Sequence, residues 1–191
     1  MSYKRKPSLV HGVGINDADY AVVFRYDGGF VRCPFYIKWV NMISRCYGKR
    51  TSELQPTYNT CKVCEDWKKF TVFKEWMQTQ DWEGKHLDKD LLHQGNKYYS
   101  PEKCIFVTRE VNNLISQHSP SINGLPVGVR SVPSGNFVAY CRVDGVSVHI
   151  GTYATFIEAS NQYLIFKRGQ FNKVAYKNTG VVRDALLRYK I

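Results

Sequence analysis

The spacing of apolar residues predicts two helices in the first half of the chain. In residues 36–47, the apolar residues that recur at helical intervals are Trp39, Ile43 and Cys46. Residues 65–79 carry a longer stripe, made of Trp67, Phe70, Phe73, Trp76 and Met77. The lysines of this segment fall elsewhere around the helix, so the stripe indicates packing against a core while the basic face meets water.

After residue 126 the pattern changes to the alternation that is typical of β-strands. Three short strands are predicted, over Val127–Ser131, Phe137–Val143 and Val146–Tyr153. Asp144-Gly145 between the last two is a strong two-residue hairpin signal. Thr155 and Glu158 form a capping box, which predicts a helix that continues to about Gly169. This half therefore predicts a three-stranded antiparallel sheet backed by one helix.

Residues 87–113 read as strand, turn, strand and short helix. The first strand carries Asp88, the chain turns at Gly95-Asn96 and returns along Ile105–Val107, and the helix carries Asn112. A carboxylate and a carboxamide that converge from such a hairpin and helix can hold one hard cation. A cation held in this way is what a metal-assisted phosphodiesterase requires.

The charge of the chain favours a polyanionic partner. Its 191 residues include 27 lysines and arginines against 16 acids, which gives a net charge of +11. Residues 121–191 contain 9 basic and 3 acidic residues and carry +6, against +5 for the longer stretch 1–120. Each phosphate that a basic side chain neutralises releases counterions, so this excess suits nucleic acid. The second part fits a DNA-holding module, and the first keeps the carboxylates that metal chemistry needs.

The sequence has no apolar run of membrane-spanning length, and no apolar signal-peptide core follows its basic start. We therefore expect a cytoplasmic protein, in the host cell's cytoplasm if a phage encodes it, without a membrane partner. Its six cysteines are then expected to be reduced thiols.

Cys61 and Cys64 have the spacing of a zinc knuckle, but no second pair follows to complete four ligands. Cys33, Cys46 or Cys104 could complete a site only in space. Lone cysteines near aromatic residues are more often small buried hydrophobes, so zinc is not the favoured cofactor.

The second half resembles a family of DNA-binding domains. Its frame is similar to the Apetala-two or ethylene-response-factor type, and consists of Gly128-Val129-Arg130, Gly135–Arg142, His149–Tyr153 and the helix that starts at Thr155. The resemblance covers about residues 126–177. It implies that the exposed face of the sheet contacts the major groove of double-stranded DNA.

The same resemblance implies which side chains meet DNA. Arg130 and Arg142 match two arginines that the family uses on DNA, Tyr140 takes the place of a common acidic contact, and His149 that of a common tryptophan. Two further arginines of the plant version are replaced, by Val132 and Ser147. Fewer base-reading arginines indicate weaker or more phosphate-driven binding.

Residues 36–116 resemble the phage group of HNH, or ββα-metal, nucleases. The motifs that carry this resemblance are Trp39, Arg45-Cys46-Tyr47, Cys64–Trp67 and Tyr99–Cys104 with its tyrosine-serine-proline turn. Several such proteins join the nuclease finger to an Apetala-two-type domain in the same order. The resemblance implies that Asp88 and Asn112 are the metal ligands, that Asp90 is a further candidate ligand, and that Mg²⁺ is the expected divalent ion.

Lys89 stands where the family has its general-base histidine. A lysine with an ordinary pKa of about 10.4 stays protonated near neutrality, so Lys89 is a poor base and a better contact for the scissile phosphate. The base can then come from elsewhere. His93 follows the strand, and His86 alternates with Asp88 and Asp90, so a regular strand would place those three on one face. Tyr98 and Tyr99 are other candidates.

These inferences predict an α+β fold: a helical N-terminal region with a ββα-metal finger, followed by a three-stranded antiparallel sheet plus helix domain. The predicted parts are an N-terminal extension (1–35), an HNH-like nuclease domain (36–118), a linker (119–125), an Apetala-two-type domain (126–177) and a C-terminal tail helix (178–191).

The favoured function is a phage-type, homing-like endonuclease that hydrolyses phosphodiester bonds in double-stranded DNA with a divalent metal ion. One alternative is a non-catalytic DNA-binding protein that retains a degenerate nuclease fold. Another is a protein-interaction module with zinc at Cys61 and Cys64. The chain contains neither the phosphate-loop lysine motif nor a serine-hydrolase elbow. Target sequence, nicking or double-strand cutting, and oligomeric state stay open.

Overall fold

A computed structural model of the protein describes residues 8–116 and 124–191. The basic start and residues 119–123 of the predicted linker lie outside the described residues. Contacts divide the chain into two compact units, with the boundary between Val107 and Thr108. In the described parts of the chain, no helix is both long enough and apolar enough to cross a membrane.

The first unit combines helices with short strand pairs. Its elements in chain order are β1 (Ser8–Val10), β2 (Gly14–Asn16), β3 (Val23–Tyr26), β4 (Gly29–Arg32), α1 (Pro34–Tyr47), α2 (Lys49–Leu54), a 3₁₀ turn (Pro56–Tyr58), β5 (Lys62–Val63), a 3₁₀ turn (Asp66–Lys68), α3 (Phe70–Gln78), β6 (His86–Asp88), β7 (Tyr98–Tyr99) and β8 (Ile105–Val107). The pairs β1–β2, β3–β4 and β6–β8 are antiparallel, whereas β5 and β7 are parallel.

The two predicted apolar stripes form the core of this unit. Trp39, Ile43, Trp67 and Phe73 are almost completely buried. The indole N–H of Trp39 donates to the carbonyl of Trp67 at 2.7 Å, and the rings of Trp67 and Phe73 meet edge-on at 5.1 Å between centroids. The helix predicted over 36–47 is confirmed, because α1 buries this stripe as expected.

The helix predicted over 65–79 is wrong at its start. Lys69 is extended, with φ −88° and ψ 128°, and separates a 3₁₀ turn from α3. Asp17 explains why α3 starts only after Lys69. One carboxylate oxygen of Asp17 accepts the backbone N–H of Thr71 at 3.0 Å, and the other accepts the Thr71 hydroxyl at 2.6 Å. A carboxylate far away in the sequence thus caps the first turn of α3, where an anion also suits the helix dipole.

The second unit contains the largest sheet among the described residues. Its elements are α4 (Arg109–Ile115), β9 (Val129–Ser131), β10 (Phe137–Val143), β11 (Val146–Tyr153), α5 (Phe156–Tyr176) and α6 (Gly180–Arg188). β10 lies in the middle and pairs antiparallel with both β9 and β11. The three-stranded antiparallel sheet predicted from the alternation is therefore confirmed.

The turn and cap signals of this unit are also confirmed. Asp144 and Gly145 both have positive φ, 51° and 83°, as a type I′ hairpin turn needs. Thr155 and Glu158 bond reciprocally at the start of α5 as a capping box. This helix passes the predicted end at Gly169 and reaches Tyr176.

The longer α5 follows from packing around its second half. Phe171, Val174 and Ala175 are buried, and Phe171 stacks on Tyr189 with ring centroids 5.0 Å apart. This burial outweighs the roughly 1 kcal/mol that a glycine costs inside a helix. The predicted tail helix is confirmed as α6.

These elements confirm the α+β fold class. The order strand, strand, helix is present as β6, β8 and α4, with the two strands in the first unit and the helix in the second. The ββα-metal arrangement itself stays a prediction.

Candidate functional site

Asp88 ends strand β6 by bonding to the backbone that follows it. Its Oδ1 accepts the N–H of Asp90 at 2.9 Å and that of Leu91 at 2.7 Å. Burial raises the pKa of Asp88, while the N–H groups of Leu91 and Asp90 act against the rise. One oxygen of the predicted metal ligand is thus engaged by the chain itself.

The same turn corrects the expected alignment of His86, Asp88 and Asp90. The regular strand ends at Asp88, so Asp90 lies beyond it and does not continue its alternation. A carboxylate that bonds to N–H groups two and three residues ahead favours a turn over a strand, which is the physical reason for the early end.

Lys89 is a buried cation held by neighbouring acceptors. Its ammonium donates to both carboxylate oxygens of Asp90, at 2.8 and 2.7 Å, and to the carbonyl of Asn96 at 2.7 Å. It also lies 5.8 Å from the ring centroid of Tyr58. Lys89 and Asp90 therefore form an ion pair with each other. As a metal ligand, Asp90 would have to share both of its oxygens with Lys89, and that assignment stays a prediction.

Asn96, which the sequence indicated only as a turn residue, organises the loop around this ion pair. Its side-chain amide donates to the carbonyls of Lys89 at 3.0 Å and Tyr98 at 2.7 Å, and its Oδ1 accepts the N–H of Tyr98 at 3.0 Å. Asn96 thus joins the end of β6 to the start of β7. Its place after Gly95 was the available signal, but nothing local showed which carbonyls it would reach.

Arg45 is the second residue that sequence reasoning did not assign to this site. Burial disfavours its charge, but Tyr99, Tyr58 and Asp88 together raise the pKa of the guanidinium. Its guanidinium carbon lies 5.8 Å from the centroid of the Tyr58 ring. We call the group of Arg45, Tyr58, Asp88, Lys89, Asp90, Asn96 and Tyr99 the Asp88 cluster.

The two candidate histidines lie on the surface near this cluster. His86 is exposed and pairs with Val107 in the β6–β8 register. His93 is exposed too, and its carbonyl accepts the N–H of Asn96 at 3.0 Å, which places it in the tight turn of the loop. Their assignment as general bases stays a prediction.

Asn112 lies half-buried on α4, whose N-terminus is capped by Thr108. It belongs to the second unit and Asp88 to the first, so their pairing as metal ligands stays a prediction. Among the described residues, no three histidine, cysteine, aspartate or glutamate side chains converge as ligands of a metal ion. Asp88 fits Mg²⁺ as a single carboxylate ligand, since this ion keeps several waters and usually takes only one or two protein carboxylates.

The cysteines of the first unit lie in apolar surroundings. Cys61 and Cys104 are buried and Cys46 and Cys64 are half-buried. Burial raises the pKa of Cys46 and of Cys104 to about 12, and it raises the pKa of Cys61 and Cys64 as well. Because a metal binds the thiolate form, this environment opposes thiolate ligation.

In the second unit, the four predicted DNA contacts share one face of the sheet. Arg130 lies opposite Val138, and Tyr140 lies opposite His149. Directly opposed residues of an antiparallel pair point to the same face, and Val138, Tyr140 and Arg142 alternate along β10. The remaining face packs through Ala139 and Cys141 against Ala159 and Tyr163 of α5. We call the group of Arg130, Tyr140, Arg142 and His149 the sheet face.

A β-bulge brings His149 to this face. The register shifts between Ala139 and Tyr140, so that Ile150 is the extra residue of β11. His149 and Thr152, three positions apart, consequently point the same way, and the Nε2 and Oγ1 atoms lie 3.3 Å apart. Regular alternation would have separated these two side chains.

The cations of the sheet face are available to a partner. Arg130 and Arg142 are both exposed, and the guanidinium of Arg130 lies 5.6 Å from the centroid of the Tyr140 ring. Stacking on an aromatic ring holds a guanidinium in place without consuming its charge or all of its donors. The arrangement can therefore present two arginines to an anionic surface.

A comparison of the chain with protein-family models, curated proteins and solved structures found no match. The resemblances to HNH nucleases and to Apetala-two-type domains consequently rest on the motifs quoted above.

Proposed function

We propose that this protein binds double-stranded DNA through the sheet face of its second unit. The observation that carries the proposal is that Arg130, Tyr140, Arg142 and His149 share one face of a three-stranded sheet, on which the two arginines and His149 are exposed and Tyr140 is half-buried. The major groove admits β-structure, and alternate side chains of a strand can reach base edges and phosphates. The net charge of +11 adds a favourable long-range attraction.

The binding test compares two double variants with equal loss of charge. Arg130→Ala with Arg142→Ala removes the exposed arginines of the sheet face, and Lys173→Ala with Arg188→Ala removes two exposed cations from α5 and α6. Fluorescence anisotropy on a labelled duplex should show an affinity loss of about ten- to a hundred-fold for the first variant. Its log–log salt slope should fall by about two, since each phosphate contact contributes about 0.9. Equal effects of both variants would reduce the proposal to nonspecific attraction.

We further propose that the first unit cleaves the bound DNA with a divalent ion held at Asp88, as the resemblance to HNH nucleases implies. Supporting features are the position of Asp88 at the end of a hairpin strand, its burial, and the nearby positive charge of Arg45. Asp88 would hold the ion, with Asn112 as the second predicted ligand. When bound, a divalent ion stabilises the charge that develops on the phosphate and the leaving oxygen.

The alternative is a DNA-binding protein without nuclease activity, and one observation favours it. Lys89, which replaces the usual histidine, is buried in an ion pair with Asp90 instead of lying open to a substrate. A cation held in this way suits a structural role better than contact with a scissile phosphate.

A nuclease assay separates these two functions. Supercoiled plasmid is incubated with wild type and with Asp88→Asn, in the presence of Mg²⁺, Mn²⁺ or EDTA. Asparagine keeps the Oδ1 atom that accepts the N–H groups of Asp90 and Leu91, so the turn should survive while the charge is lost. Asp19→Asn, at an exposed position, is the matched control.

Each outcome of the assay has one interpretation. Cleavage that needs metal and fails only in Asp88→Asn supports the nuclease. Metal-dependent cleavage that survives in Asp88→Asn overturns the assignment of Asp88. If wild type binds DNA but never nicks it, the non-catalytic function holds.

A further inference from the structure

The hairpin of β3 and β4 exposes five large apolar side chains. All eight residues of its two strands are exposed. Among its large apolar side chains, the most exposed are Tyr26 at 70%, Phe30 at 68% and Phe24 at 50%. An isolated two-stranded hairpin is only marginally stable in water, and a contiguous exposed apolar patch usually marks an interaction surface. We call this element the ribbon.

The base of the ribbon is firmly attached to the first unit. Val22, just before β3, is buried, and its carbonyl accepts the N–H of Cys33, just after β4, at 2.9 Å. Lys74 of α3 lies 4.7 Å from the ring centroid of Tyr20. At the other end the chain reverses at Asp27-Gly28, where Gly28 has a φ of +112° that favours glycine. The ribbon is thus anchored at one end and exposed along its strands.

The pairing register separates two faces of the ribbon. Arg25 lies opposite Phe30 and its guanidinium is 5.6 Å from the centroid of that ring, while Arg32 lies opposite Val23 on the same face. The other face carries Phe24, Tyr26 and Val31. One face therefore joins two arginines to an aromatic ring, and the other is apolar.

We propose that the ribbon is a second DNA-contacting surface, which inserts into a groove of the duplex. The proposal rests on the DNA binding proposed above. Charge complementarity argues for this partner, since each strand carries an exposed arginine and the acid Asp27 lies only at the turn. A two-stranded ribbon has the width that the major groove admits, and aromatic side chains can pack on sugars and on thymine methyl groups. An acidic or apolar protein surface would match only one of the two faces.

Photocrosslinking tests the contact directly in the full chain. Tyr26→benzoylphenylalanine places a photoreactive group on the ribbon, and Leu54→benzoylphenylalanine on α2 is matched because both positions are 70% exposed. The ribbon variant should crosslink to a labelled duplex, and the α2 variant should not. Crosslinking of the ribbon to a second copy of the chain, with no DNA adduct, would overturn the proposal and make it a dimer interface.

A salt titration separates the contribution of the ribbon's arginines to DNA affinity from that of its aromatic side chains. Arg25→Ala with Arg32→Ala should lower DNA affinity about five- to twenty-fold and reduce the salt slope, whereas Lys49→Ala with Arg50→Ala, exposed on α2, should change affinity much less. Phe24→Ser with Phe30→Ser should lower affinity at every salt concentration with the slope unchanged, because no charge is removed. Circular dichroism confirms that each variant is folded.

The outcomes distinguish this proposal from the proposed function. If the ribbon variants bind like wild type while Arg130→Ala with Arg142→Ala weakens binding, the ribbon proposal fails and the sheet face stands. If wild type shows no salt-sensitive DNA binding, both fail together.

Discussion

Lys89 and Arg130 are both basic side chains beside short strands, yet the fold uses them in opposite ways. Lys89 is buried and donates to Asp90 and to the Asn96 carbonyl, so its charge is neutralised inside the first unit. Arg130 is exposed and rests on the ring of Tyr140, so its charge faces outward in the second unit. The number of basic residues in a segment therefore says little about how many can contact DNA. What matters is whether acceptor groups within the protein already bind the charged side chain.

The same contrast applies to the acidic residues. In the Asp88 cluster, the carboxylate of Asp88 ends strand β6 and that of Asp90 pairs with Lys89, so both carboxylates stabilise the loop after β6. The sheet face contains no carboxylate among its four members. A site that must receive a polyanion is expected to lack acids, whereas a metal site needs them, and this difference separates the two candidate sites.

The largest predicted effect concerns the support of the sheet face. Gly128→Ala should destabilise the second unit by about 4 kcal/mol, because Gly128 has positive φ and a Cβ there would lie 2.2 Å from the Tyr163 ring. Gly135→Ala is the control, since it has a similar φ of +84° in open space and should cost only about 1 kcal/mol. Urea unfolding with hydrogen exchange on β9 and β10 measures both. Equal losses would mean that Tyr163 moves aside.

The next effect tests whether Lys89 is structural. Lys89→Met should lower the free energy of unfolding of the first unit by about 2–3 kcal/mol, because it leaves Asp90 and the Asn96 carbonyl without their donor. Lys49→Met removes an exposed lysine from α2 and should be close to neutral. Chemical denaturation of both variants gives the difference. Wild-type stability of Lys89→Met together with lost nuclease activity would instead assign Lys89 to substrate.

A smaller effect tests how Arg130 is held. Tyr140→Leu removes the ring beneath the Arg130 guanidinium and should weaken DNA binding about three- to five-fold, equivalent to a cation–π contribution of about 0.6–1 kcal/mol. Tyr140→Phe keeps the ring and should bind like wild type. A double-mutant cycle with Arg130→Ala measures the coupling by anisotropy. Additive losses would show that Tyr140 and Arg130 act independently.

The smallest effect is the pH dependence of stability at Asp88. Burial raises its folded pKa above the unfolded value, so the ionised carboxylate disfavours folding at neutral pH. This penalty should disappear as pH falls through the folded pKa towards the unfolded one. The stability of wild type should therefore rise relative to Asp88→Asn between about pH 7 and pH 4. Urea unfolding of both proteins across this range measures the change; a constant difference would contradict it.

The sequence predicted the secondary structure best where the signal was local. The apolar stripe of α1, the positive-φ hairpin at Asp144-Gly145 and the capping box at Thr155 all depend on residues within a few positions of one another. The start of α3 could not be predicted in this way. Its cap, Asp17, lies 54 residues before Thr71 and reaches it only in the folded chain.

The candidate sites show the same difference between what neighbouring residues predict and what distant segments decide. The family resemblance implied that Arg130, Tyr140 and Arg142 contact DNA, and simple alternation along paired strands is enough to place them on one face. Arg45 was missed because its neighbours Tyr58, Asp88 and Tyr99 come from distant segments. The burial of Lys89 was missed for the same reason, since the loop that covers it closes through Asn96.

By itself, then, the sequence determined the α+β class, the three-stranded sheet and the basic character of the second unit, because periodicity, turn chemistry and charge are properties of neighbouring residues. The tertiary structure alone decided that Ile150 bulges and turns His149 outward, that Lys89 is neutralised within the protein, and that the ribbon is left exposed. The physical reason is common to all three: strand register, hydrogen-bond acceptors and burial are fixed only when distant segments meet.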